Sequence, residues 1–229
     1  MMKKVLFGAM CALMACFAVS CGGNQNKSAT SDSTAAGSGL FADVMTLVNE
    51  YQAKDAELSE KMQAAGQAQD SEKIERLMEE QKALKPEFEE KLMALSQKLS
   101  GTVVEYELPD SFFYQVATAP AVKEVTPNGL NATGYIEFTI NAKKDLKVGK
   151  YKGDDFRVFM KLVDKAGNTL GYHIERAIAD DTKPQEIKAG AALKPATLGV
   201  VLAEKNNKEA NVAKIVFVTQ AEWEQSLSR

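Results

Sequence analysis

Leu95-Ser96-Gln97-Lys98-Leu99-Ser100-Gly101-Thr102-Val103-Val104-Glu105-Tyr106-Glu107-Leu108 is the stretch in which the chain changes period. Up to Leu99 apolar residues recur every three or four positions, the repeat of an amphipathic helix. From Thr102 they alternate, with Val104, Tyr106 and Leu108 set against Glu105 and Glu107, the repeat of a half-buried strand. Gly101 lies at the change and suits the left-handed residue that ends a helix. The spacing therefore predicts helices before this point and strands after it, an α+β chain.

Upstream, residues 40–100 read as a helical hairpin. Phe41, Val44, Val48, Tyr51, Leu58, Met62 and Ala65 form one seam, on which Asp55 is the single charged residue. Glu50–Lys54 and Glu57–Lys61 are i,i+4 pairs in the favourable order. Gly66 to Ser71 interrupts the pattern, and Asp70 or Ser71 offers an N-cap for a second helix. Its stripe is Ile74, Leu77, Met78, Leu84, Phe88, Leu92, Leu95 and Leu99. Pro86 lies inside that stripe, and its missing N–H predicts a kink near Lys82–Lys85. A short connection folds two such helices back on each other. The stripe serves packing within the chain, or a coiled-coil surface for a partner or a second copy.

Downstream, residues 101–229 read as an antiparallel β-sandwich. Ile136, Phe138 and Ile140 alternate with polar residues, as do Phe156, Val158, Met160 and Leu162, then Leu198, Val200 and Leu202, then Ala213, Ile215 and Phe217. Phe112–Val116 and Leu170–Ile174 are further strands; Pro127-Asn128-Gly129 and Asp164 to Asn168 are turns, the second closing a hairpin. Many short strands of this kind suit a sandwich. The resemblance to Ig-like extracytoplasmic modules is one of strand number alone. Thr219-Gln220-Ala221-Glu222 is a capping box, with Val218 and Trp223 as its staple, and predicts a short terminal helix that pins the only tryptophan on the sandwich.

The first residues carry a different signal. Lys3 and Lys4 precede the apolar run Val5–Val19; Ala18-Val19-Ser20-Cys21 places small residues before a cysteine, and Gly22-Gly23-Asn24-Gln25-Asn26 turns polar at once. This resembles the lipobox of bacterial lipoproteins. The resemblance implies that residues 1–20 are a signal peptide, that cleavage precedes Cys21, and that Cys21 carries diacylglycerol on its thiol and an acyl chain on its new amino group. Leu13-Met14-Ala15-Cys16 is a competing match, but cleavage there would leave Phe17-Ala18-Val19 on the mature end. As an uncleaved span the run Val5–Val19 falls short of the ~20 residues that cross a bilayer. With Gly22 after the cysteine and no acidic residue before Asp32, the resemblance to bacterial lipoproteins further implies the outer membrane and its periplasmic face. Residues 21–39, rich in Ser, Thr, Gly, Ala and Asn, read as a disordered linker with a span of roughly 20–25 Å. Within it Asp32-Ser33-Thr34 resembles the short motif that some Gram-negative anaerobes O-glycosylate, which would place a glycan on Ser33.

Composition narrows the function. Of 229 residues, 45% are apolar and 26% charged, and the net charge is −3. The hairpin holds 13 acidic and 8 basic residues, the strand region 17 of each, so no basic stripe exists and nucleic acid is not an expected partner. All three cysteines, Cys11, Cys16 and Cys21, lie in the signal region, and a mature chain that keeps only the lipidated Cys21 has neither a disulfide nor a free thiol.

Catalytic patterns fit poorly. His173 is the single histidine and lies within an expected strand; no Gly-x-Ser-x-Gly elbow accompanies it, and no second histidine or mature cysteine completes a zinc set. Asp154-Asp155 and Asp180-Asp181 are paired carboxylates of a kind that serves glycosidases or calcium, yet they lie in loops as solvated turn residues do. Gly37-Ser38-Gly39 follows no strand and is no phosphate loop. Phe112, Phe113, Tyr114, Tyr135, Phe159 and Tyr172 lack an obvious place in an alternating pattern. They predict either faces covered by the helical hairpin or an aromatic strip that binds a glycan or peptide. Trp223 likewise packs, or stacks on a ligand.

The expectation is a lipid-anchored cell-envelope protein without cofactor, metal or enzymatic activity, acting as an interaction or structural module on an envelope protein. The alternative is a glycan-binding accessory lipoprotein. A hydrolase using the Asp pairs comes last.

Overall fold

Apolar seams of period 3.6 and of period 2 bury themselves here in one continuous core, to which both helices of the hairpin and both larger sheets contribute. The computed structural model describes residues 39–148, 157–176 and 185–228. They belong to one compact unit, Ala35–Arg229. The order is α1 (Ala42–Gln67), α2 (Ser71–Leu99), β1 (Glu105–Glu107), β2 (Tyr114–Asn128), β3 (Asn131–Ala142), β4 (Leu146–Val148), β5 (Arg157–Val163), β6 (Thr169–Arg176), β7 (Gln185–Ile187), β8 (Ala196–Leu202), a 3₁₀ segment (Glu204–Asn211), β9 (Lys214–Val218) and α3 (Gln220–Ser226).

The helical hairpin forms as its seams dictate. Asp70 caps α2, its Oδ1 accepting from the Lys73 amide at 3.0 Å, and Gln69 takes the left-handed turn position at φ 55°. Tyr51 and Phe88, both fully buried, meet across the pair with ring centroids 5.5 Å apart. Asp55, the charge on the α1 seam, receives the Gln81 amide at 2.7 Å, so the polar group is answered where the helices face each other. Gly101 has φ 79° and closes α2 as expected. Near its start α1 is buried over a wide arc that includes Val44, Met45, Leu47 and Val48, whereas beyond Tyr51 only Leu58 and Ala65 are buried.

Pro86 does not divide the second helix, which runs unbroken from Ser71 to Leu99. The proline leaves the Lys82 carbonyl without its helical donor, at a cost of about 3 kcal/mol in a helix interior. Pro86→Ala is expected to raise stability by about 2–2.5 kcal/mol, the remainder being offset by the freer unfolded chain. Urea unfolding checks this, and an unchanged or lower midpoint would show that the ring itself is needed.

The strands make three sheets among the described residues: β1-β9-β5-β6, β2-β3-β8 and the pair β4-β7. β2 and β3 form a long hairpin around Gly129, at φ 65°, and β5 and β6 a second around Gly167, at φ 88°. The two larger sheets meet in a sandwich-like arrangement. Phe138 of β3 and Phe217 of β9 cross edge to face at 5.5 Å, and Tyr114 of β2 meets Phe217 at 6.1 Å. Burial there pushes the Tyr114 phenol above its ordinary pKa.

One pairing departs from an antiparallel sandwich: β1 runs parallel to β9, Tyr106 opposite Ile215. The chain reaches it by changing sheets. Gly101, Thr102 and Val104 first exchange backbone hydrogen bonds with Val122 and Pro120 of β2 at 2.8–2.9 Å, and the next residues pair with β9. Residues 101–107 thus cover the free edge of β2 and complete the edge of the other sheet, a corner of the kind that joins packed sheets.

β2 is also longer than alternation predicted. Register shifts between Val116 and Thr118, Thr118 and Ala121, and Val122 and Glu124 break its period, so its middle does not read as a strand in sequence. The entry to α1 is tied down at the other side. Leu40 and Phe41 amides donate to Val212 and Ala210 carbonyls at 3.0 Å, and the Phe41 ring lies over Gly134 of β3.

Candidate functional site

The last strand and helix build a pocket. Val218 ends β9 opposite Phe159 of β5, and Thr219 caps α3 by accepting from the Glu222 amide at 3.2 Å. The capping box is completed differently from the sequence expectation, since the Glu222 carboxylate accepts from Lys161 of β5 at 2.9 Å. That ion pair and the Trp223 ring, 5.5 Å from Phe159, fasten α3 to the outer face of the four-stranded sheet. Phe159 alternates with Val158 and Met160 in sequence, and its cover is therefore Trp223 of α3 rather than the helical hairpin. Tyr114 is taken up between the sheets.

Between this corner and the segment before β2 lies an open pocket of about 380 Å³. It is lined by Phe112, Phe113, Tyr114, Arg157, Phe159, Val218, Thr219 and Gln220. The rings are ordered by one another: Phe113 meets Tyr114 edge to face at 5.0 Å, and Phe112 lies 5.3 Å from Tyr114 at 33°. Phe112 and Phe113 are half-buried. Among the described residues Arg157 is the one charged lining residue, and it is cross-strand from Arg176 of β6. Both guanidinium groups also engage other parts of the chain.

Four of the six aromatics without an evident place in sequence are thus gathered at one site. The other two are not. Tyr135 lies beside Gly199 on the outer face of the three-stranded sheet, with a ring carbon 3.6 Å from where a Cβ would stand. Tyr172 lines a separate hollow of about 460 Å³ with Glu222, Gln225 and Ser226 on the far side of α3. Sequence reasoning missed Arg157, Thr219 and Gln220 as pocket residues. Arg157 had one signal, its position two residues before Phe159, on the same face of the strand.

His173 lies on β6, mostly buried, with Nε2 3.5 Å from Glu209 Oε1 and without a hydrogen bond. Gly171 makes room for this carboxylate, since a Cβ there would lie 2.3 Å from the same oxygen. Glu175, two residues along the same face, is raised above the ordinary carboxylate pKa by burial and drawn back in part by His173. Among the described residues no three His, Cys, Asp or Glu side chains gather to hold a metal ion, and no helix is long and apolar enough to cross a membrane. Cys21, Ser33, Asp154, Asp155, Asp180 and Asp181 lie outside the described residues.

No protein-family model matches this chain, and neither a curated protein nor a solved structure does.

Proposed function

We propose that this chain is a lipid-anchored envelope protein that works by binding, with Cys21 as the anchor at the periplasmic face of an outer membrane and an Ig-like sandwich as the binding module. The observation that supports a binding role is the pocket at Phe112, Phe113, Tyr114, Arg157 and Phe159. Among the described residues its lining offers apolar rings, a guanidinium, a hydroxyl and an amide. Such a set can orient a ligand through apolar contact and a few polar groups. Anchoring follows from the lipobox: each buried CH₂ contributes about 0.8 kcal/mol, and two or more chains hold a protein on the bilayer.

The test uses the full chain and Cys21→Ala in cells fed an alkyne fatty acid, with protease added outside. Label on the parent chain only, with the protein protected, is the expected result. Label retained in the variant would move the anchor to Cys16, and digestion by the protease would place the protein on the cell surface. Pull-down from gently solubilised membranes that recovers neither protein nor glycan would remove the binding role.

A second reading, a glycan-binding accessory lipoprotein, is favoured by the same rings. Half-buried Phe112 and Phe113 present apolar faces of the size of a sugar ring, in a pocket at the small end of the ~300–1,000 Å³ usual for ligand sites.

A further inference from the structure

The seat of α3 is better built than α3 itself. Phe159 has Ile174 and Val218 directly across from it on the two neighbouring strands, which sets the three in one apolar row on the outer face of the four-stranded sheet. Two residues along, Lys161 stands in the same way between Tyr172 and Val216. α3 lies over both rows. Trp223 packs on Phe159 with ring centroids 5.5 Å apart, and the Glu222 carboxylate accepts from Lys161 at 2.9 Å. The helix has seven residues, none of them buried, and Leu227 directly after it is 68% exposed. A helix of that length does not hold its shape alone in water, and an ion pair with a carboxylate 41% exposed adds little. α3 is therefore held by its seat, whereas the seat is held by the ladders of β5, β6 and β9. We infer that this face is a docking site for an amphipathic helix of a protein partner, one that sets an aromatic ring on Phe159 and a neighbouring carboxylate on Lys161, and that α3 fills the site until such a helix displaces it. The chain's own helix shows what the seat accepts. This inference rests on the binding role proposed above and names the kind of partner, and the pull-down tests that role separately.

Trp223→Ala removes the ring that α3 sets on Phe159 and so opens the seat. The full-length variant and the parent chain, each in a polyoxyethylene detergent, are titrated into a peptide of residues 219–229 labelled with fluorescein after Arg229, while anisotropy is followed. The expected result is saturable binding to the variant and binding at least about tenfold weaker to the parent, since a site already filled in about nine of ten molecules lowers the apparent affinity by that factor. A peptide of the same composition in scrambled order enters detergent equally and is expected to show no saturable binding. Lys161→Glu, added to the variant, is expected to weaken the peptide about threefold, within the worth of a partly exposed ion pair, and a peptide carrying Glu222→Lys to recover the loss. Failure of that recovery would overturn the carboxylate as a feature of the partner. Hydrogen exchange on the parent chain decides the matter where Trp223→Ala fails to fold. The amides of α3 are expected to exchange at least about a hundredfold faster than those of β5 and β9, by an opening that leaves the sheet intact. Peptide binding no tighter to the variant than to the parent, an equal response to the scrambled peptide, or exchange of α3 in step with the strands would overturn the inference.

Discussion

Phe217→Ala is expected to remove about 3–5 kcal/mol of stability, the usual range for deleting a buried phenylalanine, and to lie at the upper end of it. The ring is 1% exposed and stands where the two larger sheets meet. It crosses Phe138 at 5.5 Å and 86°, Tyr114 at 6.1 Å and Tyr106 at 6.4 Å and 90°. Edge-to-face pairs add about 0.5–1.5 kcal/mol each beyond the area they bury. Alanine would leave a cavity bounded by β1, β2 and β3, which are held by their own ladders and collapse into it little. A domain has only about 5–15 kcal/mol in all, so a large share of the folded population is at stake. Phe217→Leu, which keeps most of the volume, is expected to cost under about 1.5 kcal/mol plus the lost ring contacts. Urea unfolding of both variants checks this; a loss below about 1.5 kcal/mol for alanine would mean that the sheets do not depend on this ring.

The second large effect concerns Gly134 and Phe41. A Cβ on Gly134 would lie 2.6 Å from two carbons of the Phe41 ring, closer than such atoms approach. Phe41 is fully buried, and its backbone is tied to the Ala210 carbonyl, so it cannot swing away. Gly134→Ala is therefore expected to cost about 1–3 kcal/mol by overpacking, although alanine suits a strand better than glycine. Phe41→Ala is expected to cost about 3–5 kcal/mol by the cavity it leaves. In the double variant the added methyl enters vacated space, so Gly134→Ala becomes neutral or favourable. The coupling in the double-mutant cycle should reach about 1–3 kcal/mol. Additive losses would show that the close approach of ring and backbone does not set this position.

The local signals in the chain were reliable where a few residues sufficed. Asp70 and Thr219 cap their helices through the amide three residues on, Gly101 and Gly129 adopt positive φ, and the surface pairs Glu50–Lys54 and Glu57–Lys61 close at 2.7 and 2.6 Å. The hairpin of β5 and β6 turns at Asp164 to Asn168, where the Asp164 carboxylate accepts from the Ala166 and Asn168 amides. The candidate site was half legible. Phe112, Phe113, Tyr114 and Phe159 stood out because they violate alternation, while Arg157, Thr219 and Gln220 read only as strand and cap residues and become site residues by meeting the others.

What the sequence by itself determined was the kind of the longer elements, from the period change at Gly101 to the closing cap at Thr219. These depend on hydrogen bonds and burial periods that act over a turn of helix or a pair of strand residues. Only the tertiary structure decided which edge each strand joins and what each aromatic faces. β1 finds β9 across more than half of the strand region, in parallel, with Glu105 opposite Lys214. Phe159 is covered by Trp223 and not by the hairpin, and Arg157 comes to stand opposite Arg176. Such pairings are chosen by how well the whole apolar surface is removed from water at once, and a choice of that range leaves no mark in the spacing of neighbouring residues.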